Sequence, residues 1–399
     1  MPDPRAVHQL QLLCGSQAFF DVLVQSIDAS VFEVRLETYI FDVHGCAEQV
    51  ALALANAARR GVSVFLLVDG VGTPQLPKTW HAQFAEVGVH WRMYSPLGRL
   101  GLLVPSRWRR LHRKLCVVDG DVAFCGGINV LDDWFDPNYG DLLAPRLDFA
   151  VCVQGPLVKK VHAAMAQLWW RLDAVQSAKQ VDWNGAWQAL QKAVRSKKQS
   201  TVSGIQVGHT KVELVLRDNL RNRTRIERAY RHALGEARHE VILANAYFLP
   251  GRKMRQALMH AARRGVRVRL LLQGQYEYFM QYHATHALYG PLLAAGIEVY
   301  EYKASFLHAK VAVIDGRWAT VGSSNMDPLS LLLAREANVV VDDPVFAQTL
   351  RVELERAMMD GAQLLDRKKH FHRRWREKLF DHAALLLMRV LLLINGRRY

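Results

Sequence analysis

A motif with the spacing HxKxxxxD occurs twice in the chain, and each copy is followed at the same distance by GxxN. The residues that share this spacing are His112, Lys114, Asp119 and Asn129 in the first copy, and His308, Lys310, Asp315 and Asn325 in the second. Two imidazoles, two ammonium groups and two amides can supply a nucleophile, an acid for a leaving alcohol, and donors around phosphoryl oxygens. The doubled motif therefore predicts phosphodiester transfer without a metal ion.

In such a reaction one imidazole attacks phosphorus and forms a phosphohistidine. The other protonates the departing alkoxide, and then deprotonates the alcohol or water that resolves the intermediate. The nucleophile must be neutral and the acid protonated, so the two pKa values have to be separated. A carboxylate against one ring nitrogen is a common way to do so.

Two carboxylates are candidates for orienting the histidines. Asp148 and Glu336 each follow a GxxN motif and stand at the start of an apolar run, 149–153 and 337–341. A plain surface charge is the alternative at both positions. Asp119 and Asp315 belong to the motif and are candidate catalytic groups, but each lies before a glycine and well beyond its histidine, which favours a role in stabilising a turn.

The motifs must be carried by strands. Residues 115–118 and 311–314 are apolar at every position, as in a sheet that is covered on both faces. Side chains two residues apart point to the same face of a strand, so each motif histidine should lie beside its lysine. An Asp-Gly turn then leads into a second strand, which returns the asparagine towards the histidine.

A longer repeat surrounds the motifs. The sequence ARRG occurs at 58–61 and 262–265, each time after an alanine-rich stretch and before an apolar run. This order predicts a helix, a glycine cap and a buried strand in each half. Residues 195–208 are polar and basic, which is typical of a linker, so the boundary is expected near residue 200. A site that uses both histidines would then lie between two similar α/β lobes.

Composition limits the partners. The chain has 399 residues, half of them hydrophobic, and a net charge of +15, which predicts attraction to nucleic acid or to an anionic membrane. Its five cysteines form no CxxC pair, so we expect free thiols and neither a disulfide framework nor a zinc site. No apolar run reaches about 18 residues, and the N-terminus lacks the pattern of a signal peptide.

The segments LHRKLCVVDGDVAFCGGIN and FLHAKVAVIDGRWATVGSSN resemble the two signature motifs of the phospholipase D superfamily. This resemblance implies two pseudo-symmetric α/β lobes, each a mixed sheet flanked by helices, with one active site at their interface and no cofactor or metal. The lobes are expected at 1–199 and 200–365. By analogy His112 is the nucleophile and His308 the acid. Ser323 is expected to bind the substrate phosphate together with Asn129 and Asn325, whereas Gly127 at the matching place has no hydroxyl.

The same stretches are similar to bacterial cardiolipin synthases of the short form, which lack paired N-terminal membrane helices. The similarity implies a phosphatidyltransferase that moves a phosphatidyl group, expected to come from phosphatidylglycerol, to a second phosphatidylglycerol and releases glycerol. It also implies a peripheral protein on the cytoplasmic side of a bacterial inner membrane. A phospholipase D-type hydrolase and a nucleic-acid phosphodiesterase of the same superfamily are the alternatives. We expect no nucleic-acid partner, and the oligomeric state stays open.

The C-terminal segment 366–399 combines basic residues, Phe371 and Trp375 with an apolar run at 383–394. This pattern predicts a helix lying at an anionic phospholipid surface, and a helix packed on its own domain is the alternative. Nearer the second motif, the aromatic segment 276–282 is a candidate entrance for acyl chains or an ordinary helix face.

Overall fold

The computed structural model describes residues 8–98, 105–180, 182–200, 205–207, 210–218, 222–327, 334–373 and 375–394. They form two lobes with the same arrangement of strands. Each lobe has a mixed sheet with helices packed against it, as the sequence predicts.

The N-terminal lobe contains a seven-stranded sheet. The strands in this half of the chain are β1 (Gln9–Cys14), β2 (Glu33–Thr38), β3 (Ser63–Asp69), β4 (His90–Tyr94), β5 (Arg110–Leu111), β6 (Lys114–Val118), β7 (Val122–Gly126), β8 (Phe135–Asp136), β9 (Gly140–Asp141) and β10 (Phe149–Gln154). The helices are α1 (Gly15–Asp28), α2 (Glu48–Arg59), α3 (Lys78–Val87), α4 (Leu157–Lys179) and α5 (Trp183–Ser200). The sheet order is β1-β10-β7-β6-β2-β3-β4, while β8 pairs with β9 separately.

The C-terminal lobe repeats this plan. Its strands are β11 (Ile205–Val207), β12 (Thr210–Arg217), β13 (Glu240–Asn245), β14 (Arg267–Gln273), β15 (Glu298–Tyr302), β16 (Lys310–Ile314), β17 (Trp318–Gly322), β18 (Ala334–Asp342) and β19 (Ala362–Leu364). Its helices are α6 (Arg225–Glu236), α7 (Arg252–Arg263), α8 (Phe279–Ala294), α9 (Pro344–Gly361), α10 (Arg367–Phe371) and α11 (Trp375–Ile394). The strand order is β11-β12-β18-β17-β16-β13-β14-β15-β19, and β5 of the other lobe pairs with β18.

The two sheets match strand by strand. In both, three parallel strands (β2-β3-β4 and β13-β14-β15) adjoin three antiparallel strands (β6-β7-β10 and β16-β17-β18). The motif lysines open the central strands β6 and β16. The pseudo-symmetry inferred from the repeated motifs is therefore present in the fold.

The repeated ARRG segments have the same conformation and contacts in both lobes. Gly61 and Gly265 follow α2 and α7 with φ of 89° and 93°, a left-handed conformation that glycine adopts without strain. The preceding arginines, Arg60 and Arg264, donate to carbonyls at the ends of α1 and α6 over 2.9 and 2.8 Å. The predicted order of helix, glycine cap and buried strand is confirmed.

The lobes share one hydrophobic core. Buried side chains of α4 and α9 join apolar residues from both sheets in a single cluster, while separate clusters lie under α1–α3 and under α6–α8. The two lobes therefore pack through side chains that have no contact with water. This shared core fixes the relative position of the two motif strands.

The linker prediction was wrong over part of its length. Residues up to Ser200 continue helix α5, and β11 begins at Ile205. Composition misled the prediction because α5 is stabilised by packing against α4, where Ala189 and Ala193 are buried. Residues 201–204 and 208, also in that segment, lie outside the described residues.

The C-terminal segment forms two helices rather than an extended tail. Along α11, Asp381, Ala384, Leu385 and Met388 are buried and face the lobe, mainly against α8. The opposite face is exposed and carries apolar side chains, with charged residues such as Arg376, Glu377 and Arg389 among them. Arg374 and residues 395–398, which the sequence prediction included, lie outside the described residues. None of the helices described is both long and apolar enough to cross a membrane.

Candidate functional site

Each motif histidine is held by a strand of the opposite lobe. β5 pairs with the start of β18, and the His112 N–H donates to the Arg335 carbonyl over 3.0 Å. On the other side, Leu147 and Leu307 form a bridge, and the His308 N–H donates to the Leu147 carbonyl over 2.9 Å. The two contacts are equivalent, so both histidines lie on the line where the lobes meet.

The two candidate carboxylates bind the histidines across this line. His112 Nδ1 lies 3.1 Å from both carboxylate oxygens of Glu336, and His308 Nδ1 lies 2.6 Å from Asp148 Oδ2. Glu336 and Asp148 have almost no exposed side-chain surface. A carboxylate that accepts from Nδ1 fixes the ring and leaves Nε2 as the nitrogen available to a ligand. Sequence reasoning selected both acids but did not show that each serves the other lobe's histidine.

Burial governs the protonation of these pairs. It lowers the pKa of His112, and it lowers that of His308 well below the usual value, with Lys310 and Lys114 adding to the effect at His308. Burial also raises the pKa of Asp148 to about 7, although Lys310 opposes the rise. These shifts favour the neutral form of both imidazoles in the empty site.

The two motif lysines are buried beside the histidines. Lys114 Nζ donates to the His112 carbonyl over 2.8 Å, and Lys310 Nζ donates to the His308 carbonyl. Each ammonium keeps further N–H groups for a ligand. Burial lowers the pKa of Lys114 to about 7 and that of Lys310 to about 8. A nearby anion would raise both pKa values and stabilise the charged ammonium groups.

The two motif asparagines line the same cavity as the histidines. Asn129 Oδ1 accepts from the Ile40 N–H over 3.2 Å, which leaves its NH₂ group to donate elsewhere. Asn325 is also buried, and within the described residues its Oδ1 has no hydrogen-bond partner. Both amides can therefore take part in binding a ligand.

Ser323 lies elsewhere than predicted. Its hydroxyl donates to Glu336 and accepts from the Ala337 N–H over 3.1 Å, so it supports the carboxylate, and it is not among the residues that line the cavity. At the matching place in the first half, a side chain on Gly127 would come within 2.2 Å of Asp148 Oδ1. The two halves therefore differ in two matched residues. Ser323 supports the longer acid, Glu336, and Gly127 makes room for the shorter acid, Asp148.

Asp119 and Asp315 are not brought to the site. Their carboxylates accept from three successive backbone N–H groups, at 31–33 and at 238–240, over 2.8–2.9 Å. Both have φ of 52°, and both lie at the far end of the motif strand, roughly 20 Å from the histidine. Of the two roles considered for these residues, the turn-stabilising one fits this geometry and the catalytic one does not.

Sequence reasoning missed the residues that support His112 from behind. Asp69 is buried, and its Oδ2 accepts from the Leu111 N–H over 2.7 Å while Oδ1 binds Arg110 over 2.9 Å. The Tyr39 ring lies 5.1 Å from the His112 ring and also faces Lys114. Tyr39 directly follows β2 and Asp69 is the last residue of β3, and both strands end at the site, a position that could have marked these residues.

A cavity of about 1240 Å³ opens above the histidines between the lobes. Polar groups lie at its base, and aromatic and aliphatic side chains form much of its wall. Of the predicted entrance segment, Tyr278, Phe279 and Met280 line this cavity, whereas Tyr276 and Tyr282 are not among its lining residues. Met388 of helix α11 also lines it. Within the described residues, no group of three His, Cys, Asp or Glu side chains could hold a metal ion.

Comparison with known protein families gives one match that covers most of the chain. The family described as "Cardiolipin synthase, PLD-like domain" matches residues 23–169 and 230–358. Cardiolipin synthase B of Escherichia coli K12 is 37% identical over 371 residues, which are 93% of this chain and 85% of the relative. Cardiolipin synthase A of Erwinia tasmaniensis is 26% identical over 94% of this chain and 74% of the relative.

Two solved structures have a similar fold. Phosphatidylserine synthase of Haemophilus influenzae superposes with a TM-score of 0.66 at 11% identity, covering 96% of this chain and 94% of that one. Polyphosphate kinase of Porphyromonas gingivalis gives a TM-score of 0.54 at 13% identity, over 90% of this chain and 49% of that one. At such low identity these likenesses concern the two-lobed fold alone.

Proposed function

The chain belongs to the family of cardiolipin synthases with phospholipase D-like domains, and from this we propose that it makes cardiolipin by transferring a phosphatidyl group to phosphatidylglycerol. The resemblance drawn from the two motifs is confirmed by the family match. The observation that carries the mechanism is the pair of crossed histidine–carboxylate contacts facing one cavity.

The reaction proceeds in two displacements at phosphorus. In the first, one imidazole Nε2 forms an N–P bond with the donor phospholipid, and the bond to the departing headgroup oxygen breaks. In the second, the primary hydroxyl of phosphatidylglycerol forms an O–P bond, and the N–P bond breaks. We assign the attack to His112 and the proton transfers to His308, following the family analogy.

Proton supply depends on the bound substrate. The neutral form of both imidazoles is favoured in the empty site, so the acid must gain a proton when the anionic phosphodiester arrives. A nearby negative charge raises the pKa of an imidazole, and the carboxylate on Nδ1 stabilises the imidazolium that forms. The same histidine later accepts the proton of the attacking hydroxyl, so the cycle ends with the protons balanced.

The lysines and asparagines bind the phosphoryl oxygens. Lys114 and Lys310 stand beside the two histidines and keep free ammonium N–H groups, and Asn129 and Asn325 line the same cavity. Donors fixed in a dry site stabilise developing charge more strongly than water does, because they need no reorganisation. The apolar wall excludes water, which favours an alcohol as the acceptor.

We propose further that the exposed face of α11 lies on an anionic phospholipid surface. The apolar side chains on this face are exposed, and basic residues lie among them. The apolar set is Trp375, Leu379, Phe380, Leu386, Leu387 and Val390, and the basic set is Arg376, Lys378 and Arg389. Apolar insertion and basic attraction together are typical of interfacial helices. The proposed membrane segment therefore remains 366–399, and within it helix α11 packs on the lobe by one face and leaves the opposite face exposed.

The position of the cavity supports this arrangement. Met388 on the docked face of α11 lines the cavity, and the exposed Tyr278 and Phe279 stand at the start of the adjacent helix α8. A bilayer touching α11 would thus also touch the cavity mouth. Headgroups could reach the histidines while acyl chains stay in the lipid. We place this contact on the cytoplasmic side of a bacterial inner membrane.

Vesicle flotation tests the membrane proposal. The change Leu386→Glu with Leu387→Glu should abolish binding to vesicles that contain phosphatidylglycerol, because it puts two charges on the apolar face. Met359→Glu, at an apolar site on α9 that is more exposed than either leucine, is the control and should bind like the wild type. Equal binding by all three proteins would refute the proposal.

Product analysis tests the enzymatic proposal. Purified protein is incubated with phosphatidylglycerol labelled in its acyl chains and its headgroup, and the lipids and free glycerol are separated. We expect cardiolipin with one glycerol per molecule formed, and no product from His112→Ala or His308→Ala. Phosphatidic acid in place of cardiolipin would mean a hydrolase. No turnover of lipid but cleavage of nucleic acid would mean the nuclease alternative.

A further inference from the structure

One carboxylate in the cavity has no role in the mechanism above. Glu277 lines the cavity, and its Oε1 accepts from the Tyr247 hydroxyl over 2.8 Å. Its backbone carbonyl accepts from the hydroxyl of Tyr139, a residue of the opposite lobe, over 2.6 Å. Glu277 is thus fixed at the lobe interface by two phenols.

Unlike Asp136, Asp148 and Glu336, Glu277 has no cationic partner among the described residues. Asp148 and Glu336 bind histidines, and Asp136 binds Arg146 over 3.1 Å. Among the described residues, no Lys, Arg or His nitrogen lies within 4.0 Å of the Glu277 carboxylate. Burial raises the pKa of Glu277, while Tyr247 and the more distant charges of Lys310 and Arg146 pull it down. The Glu277 carboxylate is half-buried and lines the cavity, so it can accept a hydrogen bond from a ligand there.

The phosphodiester itself cannot donate a hydrogen bond to the Glu277 carboxylate. Phosphoryl oxygens only accept hydrogen bonds, and their charge repels a carboxylate. A neutral hydroxyl both donates and accepts, so it can bind Glu277 directly. The ligand that suits this position is therefore an alcohol next to the phosphoryl group.

We propose that Glu277, held by Tyr247, binds the hydroxyl of a vicinal diol at the position shared by the leaving and the attacking alcohol. This proposal rests on the proposed function, and it names the headgroup that the site selects. In a glycerol headgroup the secondary hydroxyl donates to Glu277, which leaves the neighbouring primary oxygen directed at phosphorus. Glu277 is then a positioning residue that favours glycerol over simple alcohols and water.

One subsite serves both half-reactions. An in-line displacement through a single phosphohistidine places the leaving oxygen and the attacking oxygen on the same side of phosphorus. When the first O–P bond breaks, the glycerol oxygen takes a proton from the acid histidine. When the next glycerol oxygen attacks, it gives its proton back to that histidine as the N–P bond breaks. The Glu277 contact stays unchanged in both steps, because the bound hydroxyl does not react.

Competition between two acceptor alcohols tests the proposal. Wild-type protein with labelled phosphatidylglycerol receives equal concentrations of 1,2-propanediol and 1-propanol, and the two phosphatidyl alcohols are quantified. We expect the wild type to favour the diol. Glu277→Gln keeps the size but removes the charge, and should reduce this preference at least tenfold, since hydrogen bonds to charged groups contribute about 1.5–3 kcal/mol. Tyr247→Phe should reduce it less.

Asp42→Asn is the matched control. Asp42 lines the same cavity but is paired with His44, so its neutralisation removes one charge from the cavity without touching the diol position. The alcohol ratio should stay that of the wild type. An unchanged ratio in Glu277→Gln and Tyr247→Phe would overturn the proposal, and so would an equal loss in Asp42→Asn. The ratio does not depend on how much of a variant is folded.

The proposal and the enzymatic function can fail separately. Absence of cardiolipin with the wild type counts against the synthase function alone, because the subsite can still be measured on hydrolysis. In that case the wild type should cleave phosphatidylglycerol faster than phosphatidylpropanol, and Glu277→Gln should remove the difference. Equal cleavage of the two donors by the wild type would overturn the diol subsite.

Discussion

At the scale of single residues, the main feature is that neither lobe contains a complete half-site. His112 is bound by Glu336, and His308 by Asp148, so each imidazole takes its orientation from the opposite half of the chain. The supporting groups behind the acids differ, with Ser323 on one side and Gly127 on the other. Function at each histidine therefore depends on residues about two hundred positions away in sequence.

The crossed contacts predict which variants share a defect. Glu336→Gln should impair the same chemical role as His112→Ala, and Asp148→Asn the same role as His308→Ala, each amide variant losing about 10²–10⁴-fold in kcat/KM. Rapid mixing with labelled phosphatidylglycerol, followed by denaturation, measures the covalent intermediate. Capture should be lost in one histidine variant and kept in the other. A Glu336→Gln enzyme that behaves like His308→Ala would contradict the pairing.

The buried lysines predict a difference between two pH profiles. With pKa values of about 7 and about 8, Lys114 and Lys310 lose their charge as the pH rises through this range in the free enzyme. The profile of kcat/KM should therefore fall above pH 7–8. A bound phosphodiester raises both pKa values, so kcat should stay high to a more alkaline pH. Alkaline limbs that coincide in the two profiles would count against cationic lysines at the phosphate.

At the scale of elements, each motif strand is fastened at both ends. One end carries the histidine at the lobe interface, and the other ends in an aspartate whose carboxylate binds the turn before the neighbouring strand. Asp119 joins β6 to the start of β2, and Asp315 joins β16 to the start of β13. The last residue of HxKxxxxD thus positions strands, and its chemistry at the site is indirect.

Replacement of Asp119 or Asp315 should therefore affect stability more than activity. Asp119→Ala removes acceptors from three N–H groups and places alanine at a positive φ, so we expect a loss of about 1–3 kcal/mol in unfolding free energy. Asp119→Asn, which tolerates that φ and keeps one acceptor, should lose less. Urea unfolding measures both, and activity per folded molecule should stay within about threefold. A stable but inactive Asp119→Asn protein would restore the catalytic reading.

Sequence reasoning identified local features well and contacts between lobes poorly. The motif strands, their Asp-Gly turns and the ARRG caps follow from neighbouring residues, and these were predicted. The choice of Asp148 and Glu336 also came from position in the repeat. Their crossing did not, because it depends on β5 pairing with β18 across the interface. Glu277 was not identified either, because its partner Tyr247 lies near the end of a different strand and their contact is not visible in the sequence.

At the scale of the whole molecule, the two lobes are joined by a common hydrophobic core. Their sheets share a core that includes side chains from α4 and α9. The cavity at the interface is completed by Met388 of α11, the helix that also presents the proposed membrane face. The shared core, the crossed histidine–carboxylate pairs and the proposed lipid contact therefore all lie along the junction of the lobes.

The shared core predicts a single unfolding transition. Leu350→Ala opens a cavity in the core between the lobes, and Leu54→Ala opens one in the N-terminal lobe alone. Each should cost about 2–5 kcal/mol. Calorimetry should show one transition that shifts as a whole in both variants, with loss of activity at the same temperature. A second transition in Leu54→Ala would show that the lobes unfold independently.

The crossed histidine–carboxylate pairs also bear on how such a protein can change over generations. A repeated unit ordinarily leaves one copy free to decay, since the other can keep the activity. Here each acid contacts the histidine of the other half, so under the proposed mechanism a damaged acid would disable the histidine of its intact neighbour. Selection on one copy is thereby selection on both, and the two halves can diverge only in matched steps such as Ser323 with Glu336 and Gly127 with Asp148.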